Sequence, residues 1–408
     1  MTNATLIRAL SAATAGAVLA TTLSAQAAIT VRPASGARPN ATTTIYYTYG
    51  GTLAATQWRT WFSADVTGCY AATGTGAAQN AFTTGALKQT LSGTGDCSYN
   101  ASTGYPRDDF SAGDAPLTTA QVQTYNNNFL ATKGPAIVLP VAGAALSEAF
   151  NSASLPANLE INVTDLCNIW KGTTTNWTAV TNQATGKPVT TSSLPIKLIT
   201  RLDGSGSTFI HTAHLNGVCS GGYNYVGTAF PTTEGNQSVA NGGIIPETGS
   251  GGVATEVANQ AGAIGYVAPN SLIAGEASAG LLNRSGQYET PTSTAITAAF
   301  TSARDTTPPP GYPASGGSQV DLYLTNPAAS GSYSEVGFTY TFLNTCYPVP
   351  TTTQPSAAFI MNLFDNEVYK TGTITQTGLV PIGATANETA QIALIKPGSL
   401  YNARQGCH

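Results

Sequence analysis

The chain has 408 residues, of which 42% are apolar and only 9% charged, and its formal net charge is −4. That length accommodates two domains of ordinary size. Sparse charge with apolar runs throughout excludes a disordered chain, and 16 Lys and Arg against 20 Asp and Glu leave no basic patch for nucleic acid.

The N-terminus carries Arg8, then an apolar small-residue run over 9–23, then Ala25, Gln26 and Ala27 as an A-x-A cleavage site. Residues 1–27 are therefore predicted to be a signal peptide. No cysteine stands directly after the cut, so no lipid anchor is expected there. No later run is long and apolar enough for a transmembrane helix, so the product is expected to be exported, to the periplasm or beyond. Cys69, Cys97, Cys167, Cys219, Cys346 and Cys407 all follow the cut. An even count in an exported chain predicts three disulfides. Fifteen pairings are possible; sequential pairing is the simplest, because each bridge then stays local. With no C-x-x-C spacing, a metal cluster is not expected.

Residues 44–49 alternate as a strand and run through Gly50, Gly51 and Thr52 into a helix over 54–62, where Trp58, Trp61 and Phe62 recur at helical spacing. A second such unit follows Cys69 and Tyr70, with Gly74, Thr75 and Gly76 at the turn and a helix over 79–82. Residues 83–107 form a polar excursion holding Cys97. A short strand begins at Asp109 and Phe110; Asp114 precedes Ala115 and Pro116, which force a turn, and a polar helix follows over 117–128. Residues 134–142 read as a buried strand, and 161–165 begin a capped helix carrying Leu166, Cys167, Ile169 and Trp170.

The strand over 194–200 leads through Arg201, Asp203, Gly204, Ser205, Gly206 and Ser207 into a helix over 209–215, closed by Asn216 and Gly217. Another Gly/Ser start, 249–254, precedes a helix over 255–260 and a strand over 261–267. Residues 271–318 read as peripheral, 333–347 as a strand and 356–364 as a helix. No repeat is apparent.

These Gly/Ser helix starts share a chemistry. The first N–H groups of a helix have no partner inside it and carry partial positive charge. Glycine lets an anion approach the backbone, and hydroxyls add donors. The Arg201 fork fits a tetrahedral oxyanion, and Asp203 can hold that fork still. His211 and His214 read as ordinary helix residues rather than a metal pair, and they point away from Ser205, so no Ser-His-Asp arrangement follows.

Taken in order, four motifs resemble the periplasmic phosphate-binding proteins of ABC transporters. They are Gly51-Thr52-Leu53, Gly74-Thr75-Gly76, the run from Ser111 through Asp114 to Leu117, and the Arg201, Asp203, Gly204, Ser205, Gly206, Ser207 stretch. Gly262, Gly265 and Tyr266, and Ile169, Trp170, Lys171, Gly172 and Trp177, are similar to that family's lobe motifs. Asp165, Cys167, Leu215, Asn216 and Cys219, with Cys346 and Cys407, resemble its DING-type branch, although Tyr47, Thr48, Tyr49 and Gly50 stand where that branch has Asp-Ile-Asn-Gly.

The resemblance implies an α/β class II periplasmic binding protein fold, two lobes joined by a two-crossing hinge with the ligand between them. The crossings are expected near 138–142 and 347–353, giving lobe one as 28–140 plus 350–408 and lobe two as 141–349. It implies phosphate-binding roles for Thr52, Leu53, Thr75 and Asp114 from lobe one and for Arg201, Ser205, Gly206 and Ser207 from lobe two, with Asp203 orienting Arg201. Leu53, where the family usually has Phe, would act through its N–H; Thr75 for the usual Ser and Ser207 for the usual Thr keep the hydroxyl. An ionised Asp114 accepts but cannot donate, so it would admit a protonated phosphate and repel sulfate.

The expected partners are inorganic phosphate and an inner-membrane ABC permease, with a monomeric protein and no cofactor, metal or nucleic acid. Alternatives are a secreted DING-like phosphatase acting on phosphate esters and an extracellular structural or adhesive protein.

Overall fold

A computed structural model describes residues 45–408 apart from 65–66, 92, 94, 98, 101, 221, 232–242, 317, 348–356, 370–371, 383–385 and 403–404. The expected signal peptide, the lead-in over 28–44 and most of the expected return crossing over 347–353 lie outside the described residues.

The first half follows the strand–turn–helix pattern. β1 (Ile45–Gly50) leads to α1 (Ala55–Ala64), β2 (Thr67–Ala72) to α2 (Thr75–Thr84), and β3 (Phe110–Gly113) to α3 (Thr119–Lys133). Thr118 and Gln121 close a reciprocal capping box at the start of α3. β1 pairs in parallel with both β2 and β3. The strand Val336–Asn344 then pairs antiparallel with β3 on one side and with β4 (Ala136–Ala145) on the other. The strand Leu379–Val380 on the far side of β4 completes a six-stranded sheet.

A second, five-stranded sheet is ordered Ile244–Glu247, Lys197–Arg201, Ala263–Val267, β5 (Ser147–Asn151), Glu276–Ser278. Its first three strands are parallel, and α5 (Gly206–Val218) and α6 (Gly249–Asn259) follow Lys197–Arg201 and Ile244–Glu247. α4 (Val163–Trp170), capped by Asn162, packs beside α5.

The chain changes sheet at two adjacent places. It leaves at Leu146 and returns after Glu335: Ala145 pairs with Val336, and the Leu146 N–H donates to the Glu335 carbonyl at 3.2 Å. The chain therefore passes between the two sheets at 146 and 335. β4 reaches this far because all ten of its residues are buried, so pairing continues to the end of the apolar run.

In both sheets the parallel strands carry their helices from the C-terminal ends, and those ends are where open α/β sheets place ligands. Behind the first sheet lies an aromatic core: Trp58 sits edge-on to Trp61 at 4.9 Å and packs on Phe110 at 5.6 Å. All six cysteines are bridged as sequential pairing predicts, Cys69–Cys97, Cys167–Cys219 and Cys346–Cys407.

Two helices start earlier than the apolar spacing suggests. α5 begins at Gly206, not 209, and α6 at Gly249, not 255. The glycines and serines that read as turn are the helices' own first residues, which moves the free N–H groups back to the turn itself.

Candidate anion site

Five chain segments converge at these strand ends. After β1 come Gly51, Thr52 and Leu53; the Gly51 N–H donates to the Ala112 carbonyl at 3.2 Å, and the Tyr70 hydroxyl donates to the Gly51 carbonyl at 2.8 Å. After β2, Gly74 turns at φ 90°, a left-handed conformation that glycine takes without strain, and Thr75 opens α2. After β3 stands Asp114, whose N–H donates to the Thr75 hydroxyl at 3.1 Å. Leu53, Thr75 and Asp114 are all buried.

The opposing wall comes from the second sheet. Arg201 ends its strand and is 2% exposed. Its guanidinium is gripped on two sides by Asp203, through Nε to Oδ1 at 2.8 Å and Nη2 to Oδ2. Asp203 also accepts from the Gly249 N–H at the start of α6, at 2.9 Å. Ser205 caps α5, its hydroxyl accepting from the Ser207 N–H at 3.1 Å. Gly206 follows, and Ser207 is buried.

The two walls touch. Arg201 Nη2 donates to the Thr52 hydroxyl at 3.5 Å, and the Gly76 N–H donates to the Gly204 carbonyl at 3.0 Å. A Cβ on Gly206 would stand 2.4 Å from the Asp114 Cβ, and one on Gly51 would stand 2.5 Å from Asp114 Oδ2. The glycines here are therefore steric requirements of the closed arrangement, as well as turn formers.

Buried polar atoms at this junction without a hydrogen-bond partner include Asp114 Oδ1, an acceptor, and the hydroxyls of Ser207 and Thr339. Burial pushes the Asp114 carboxyl up to about 7, against the opposing pull of the Thr339 hydroxyl, the Arg201 guanidinium and the Thr75 hydroxyl. The site thus joins one cation, several hydroxyls, helix starts and one acid. That set suits a small oxyanion that carries both ionised and protonated oxygens.

The structure brings Thr52, Leu53, Thr75, Asp114, Arg201, Asp203, Ser205, Gly206 and Ser207 together. It adds residues that sequence reasoning did not place here. Ser250, in the first turn of α6, takes Arg201 Nη1 at 3.4 Å. The Tyr266 hydroxyl accepts from the Arg201 N–H at 3.2 Å and bonds the Thr208 hydroxyl at 2.8 Å. The signal for Ser250 was present, since its Gly/Ser helix start resembles the others. Thr339 and Tyr266 carried no local mark.

Both histidines are buried residues of α5. His211 is fully buried, 2.8 Å from Glu335 and 3.2 Å from Glu148 through Nδ1. His214 Nδ1 lies 2.9 Å from the Thr325 carbonyl, so the two rings do not converge on one centre.

A two-sheeted α/β chain with facing strand ends, crossed twice at one place, is the periplasmic binding protein fold. Residues 8–357 match the PBP superfamily domain, and the chain belongs to that superfamily. It is 30% identical over 304 residues to alkaline phosphatase L of Pseudomonas aeruginosa, covering 71% of this chain and 72% of that one. A phosphate-binding protein from an unknown prokaryotic organism is 28% identical over 167 residues, covering 38% and 41%. In structure the chain is similar to a high affinity periplasmic phosphate-binding protein (PfluDING) bound with phosphate, with a TM-score of 0.62 at 22% identity over 85% of this chain and 92% of that one.

Proposed function

We propose that the protein captures inorganic phosphate between its two sheets and serves as the exported binding component of a phosphate uptake system. The observation that carries this reading is the pairing, beside Arg201, of a buried acceptor without a donor, Asp114 Oδ1, and a buried hydroxyl without an acceptor, Ser207 Oγ. Monohydrogen phosphate supplies both missing partners, its P–OH for Asp114 and its ionised oxygens for Ser207 and Arg201. Thr52, Leu53, Thr75, Asp114, Arg201, Ser205, Gly206 and Ser207 bind it, and Asp203 holds the Arg201 fork. The two lobes meet at the Leu146 and Glu335 crossings. The protein acts as a monomer that delivers phosphate to a membrane permease, from the periplasm or outside the cell.

Calorimetry on ligand-stripped protein tests this. Phosphate should bind tightly and sulfate weakly at pH 8. Asp114→Asn should lose the preference, and Arg201→Ala should weaken phosphate by about 2–4 kcal/mol, the cost of removing one partner of a buried charge-assisted contact. No phosphate binding by the unaltered protein sinks the carrier reading.

The relative named alkaline phosphatase L gives hydrolysis of phosphate esters a place as the second reading. Against it, Ser205 Oγ is engaged by its own helix, and neither His211 nor His214 is bonded to a serine. Ester turnover that disappears in Ser205→Ala or Ser207→Ala would favour the enzyme.

A further inference from the structure

Thr339 lies on the strand Val336–Asn344, between β3 and β4. Against β3 the residues after it pair antiparallel, Phe342 with Ser111, Thr341 with Ala112 and Tyr340 with Gly113. One step further, that register sets Thr339 opposite Asp114, the first residue beyond β3. Opposed residues of an antiparallel pair stand side by side on one face, with Cβ atoms about 4.5–5.5 Å apart. Thr341, next along that face, donates across to the Ser111 carbonyl at 3.4 Å.

Against β4 the register shifts at this same point. Tyr340 pairs with Pro140 and Thr339 with Ala142, which leaves Val141 over. Pro140 has no N–H for the ladder, and a bulge of this kind bends a strand and re-aims its side chains. Thr339 and Asp114 are both buried. Thr339 Oγ1, a donor, and Asp114 Oδ1, an acceptor, each have no hydrogen-bond partner.

We propose that Thr339 is a positioning residue that sets anion specificity: its hydroxyl donates across the strand pair to the Asp114 carboxylate and keeps that carboxylate an acceptor toward the anion in the cleft.

The other groups around Asp114 are committed elsewhere. The Thr75 hydroxyl accepts from the Asp114 N–H at 3.1 Å and stands 3.5 Å from Asp114 Oδ2, a long contact. The Arg201 guanidinium is gripped by Asp203. The remaining titratable groups that act on Asp114 are Tyr70 and Tyr340. Their hydroxyls donate to the Gly51 and Leu322 carbonyls. Burial raises the Asp114 pKa to about 7, and among the groups that oppose burial the Thr339 hydroxyl pulls hardest, ahead of Arg201 and Thr75. A carboxylate oxygen has room for two hydrogen bonds, so Thr339 and a P–OH can share Asp114. An ionised Asp114 only accepts and so rejects sulfate, whereas a protonated one donates and admits it. Losing the Thr339 donor favours the protonated form.

The effect of Thr339 on selectivity rests on the phosphate reading, and its effect on Asp114 does not, so two readouts are used on the full mature chain. The first is carbon-13 resonance of the aspartate carboxyl groups in ligand-free protein. The Asp114 signal, assigned by its loss in Asp114→Asn, should titrate near pH 7. Thr339→Val keeps the shape and removes the donor, so it should move that midpoint up by about one unit, and Thr339→Ser should restore it. The second is calorimetry with phosphate and sulfate between about pH 5 and 9. The pH below which sulfate binding strengthens should rise by about the same unit in Thr339→Val and return in Thr339→Ser. A purely structural role would lower the melting temperature and weaken both anions at every pH without moving either midpoint. A carboxyl midpoint that stays in place in Thr339→Val overturns the proposal; if that variant does not fold, Thr339→Ala is read in the same way. An unaltered protein that binds no phosphate sinks the carrier reading instead, and the carboxyl midpoint then judges Thr339 alone.

Discussion

Asp114 is a carboxylate whose neighbours do not neutralise it. The Arg201 guanidinium is already held by Asp203, and burial sets the Asp114 pKa near 7. Two consequences follow. An Asp raised in the folded state adds stability fully below about pH 4, and this is lost as pH climbs through about 7. Ligand-free protein should therefore lose on the order of 2–4 kcal/mol from this group between pH 4 and 8. Asp114→Asn should flatten that part of the melting profile, as calorimetry would record. Selectivity should move the same way: a protonated Asp114 donates, so sulfate binding should strengthen as pH falls from 8 to 5, and not in Asp114→Asn. Gly206 makes a separate prediction. Its substitution by Ala puts a methyl 2.4 Å from the Asp114 Cβ, so the walls must part. Phosphate affinity should fall at least about tenfold, and the melting temperature should fall as well, since the clash lies in the arrangement that buries Asp114.

At the scale of elements, α5 does most of the organising. Ser205 caps it, Gly206 faces the acid of the other sheet, and His211 pairs with Glu335. Its far end is tied as well: Cys219, which follows its last turn, is bridged to Cys167 of α4. That bridge closes a 52-residue separation, so replacing both cysteines by Ala should destabilise the protein by about 4 kcal/mol through restored freedom of the unfolded chain. Denaturant unfolding would measure it, and a loss well under 1 kcal/mol would show that packing alone holds the helix. The Gly/Ser starts of α5 and α6 were legible as turns but not as helix, because glycine and serine have weak helical preference and only tertiary contact settles where such a helix begins. The short strands of the second sheet, β5 and Ile244–Glu247, carried too few residues to show alternation.

At the scale of the molecule, the site exists only because two sheets present their strand ends to each other. Arg201 meets Thr52 across 149 residues of chain. Any ligand that favours this closed arrangement stabilises the whole fold by mass action. Phosphate at a thousandfold excess over its Kd should add about 4 kcal/mol to unfolding, with a matching rise in melting temperature that Arg201→Ala largely abolishes.

The sequence by itself determined the local chemistry: strand–turn–helix units, Gly and hydroxyl residues at helix starts, Arg201 with Asp203 two residues away, an even set of cysteines, and the ordered motifs of a binding-protein family. Such features are legible because they act over a few residues. Only the tertiary structure decided where the chain changes sheet, that Thr339, Tyr266 and Ser250 lie at the candidate site, and that His211 meets Glu335. Glu335 lies 124 residues from His211, and no periodicity links them. Their meeting depends on burial, which makes a charged pair costly unless it is complete, and burial is a property of the folded chain.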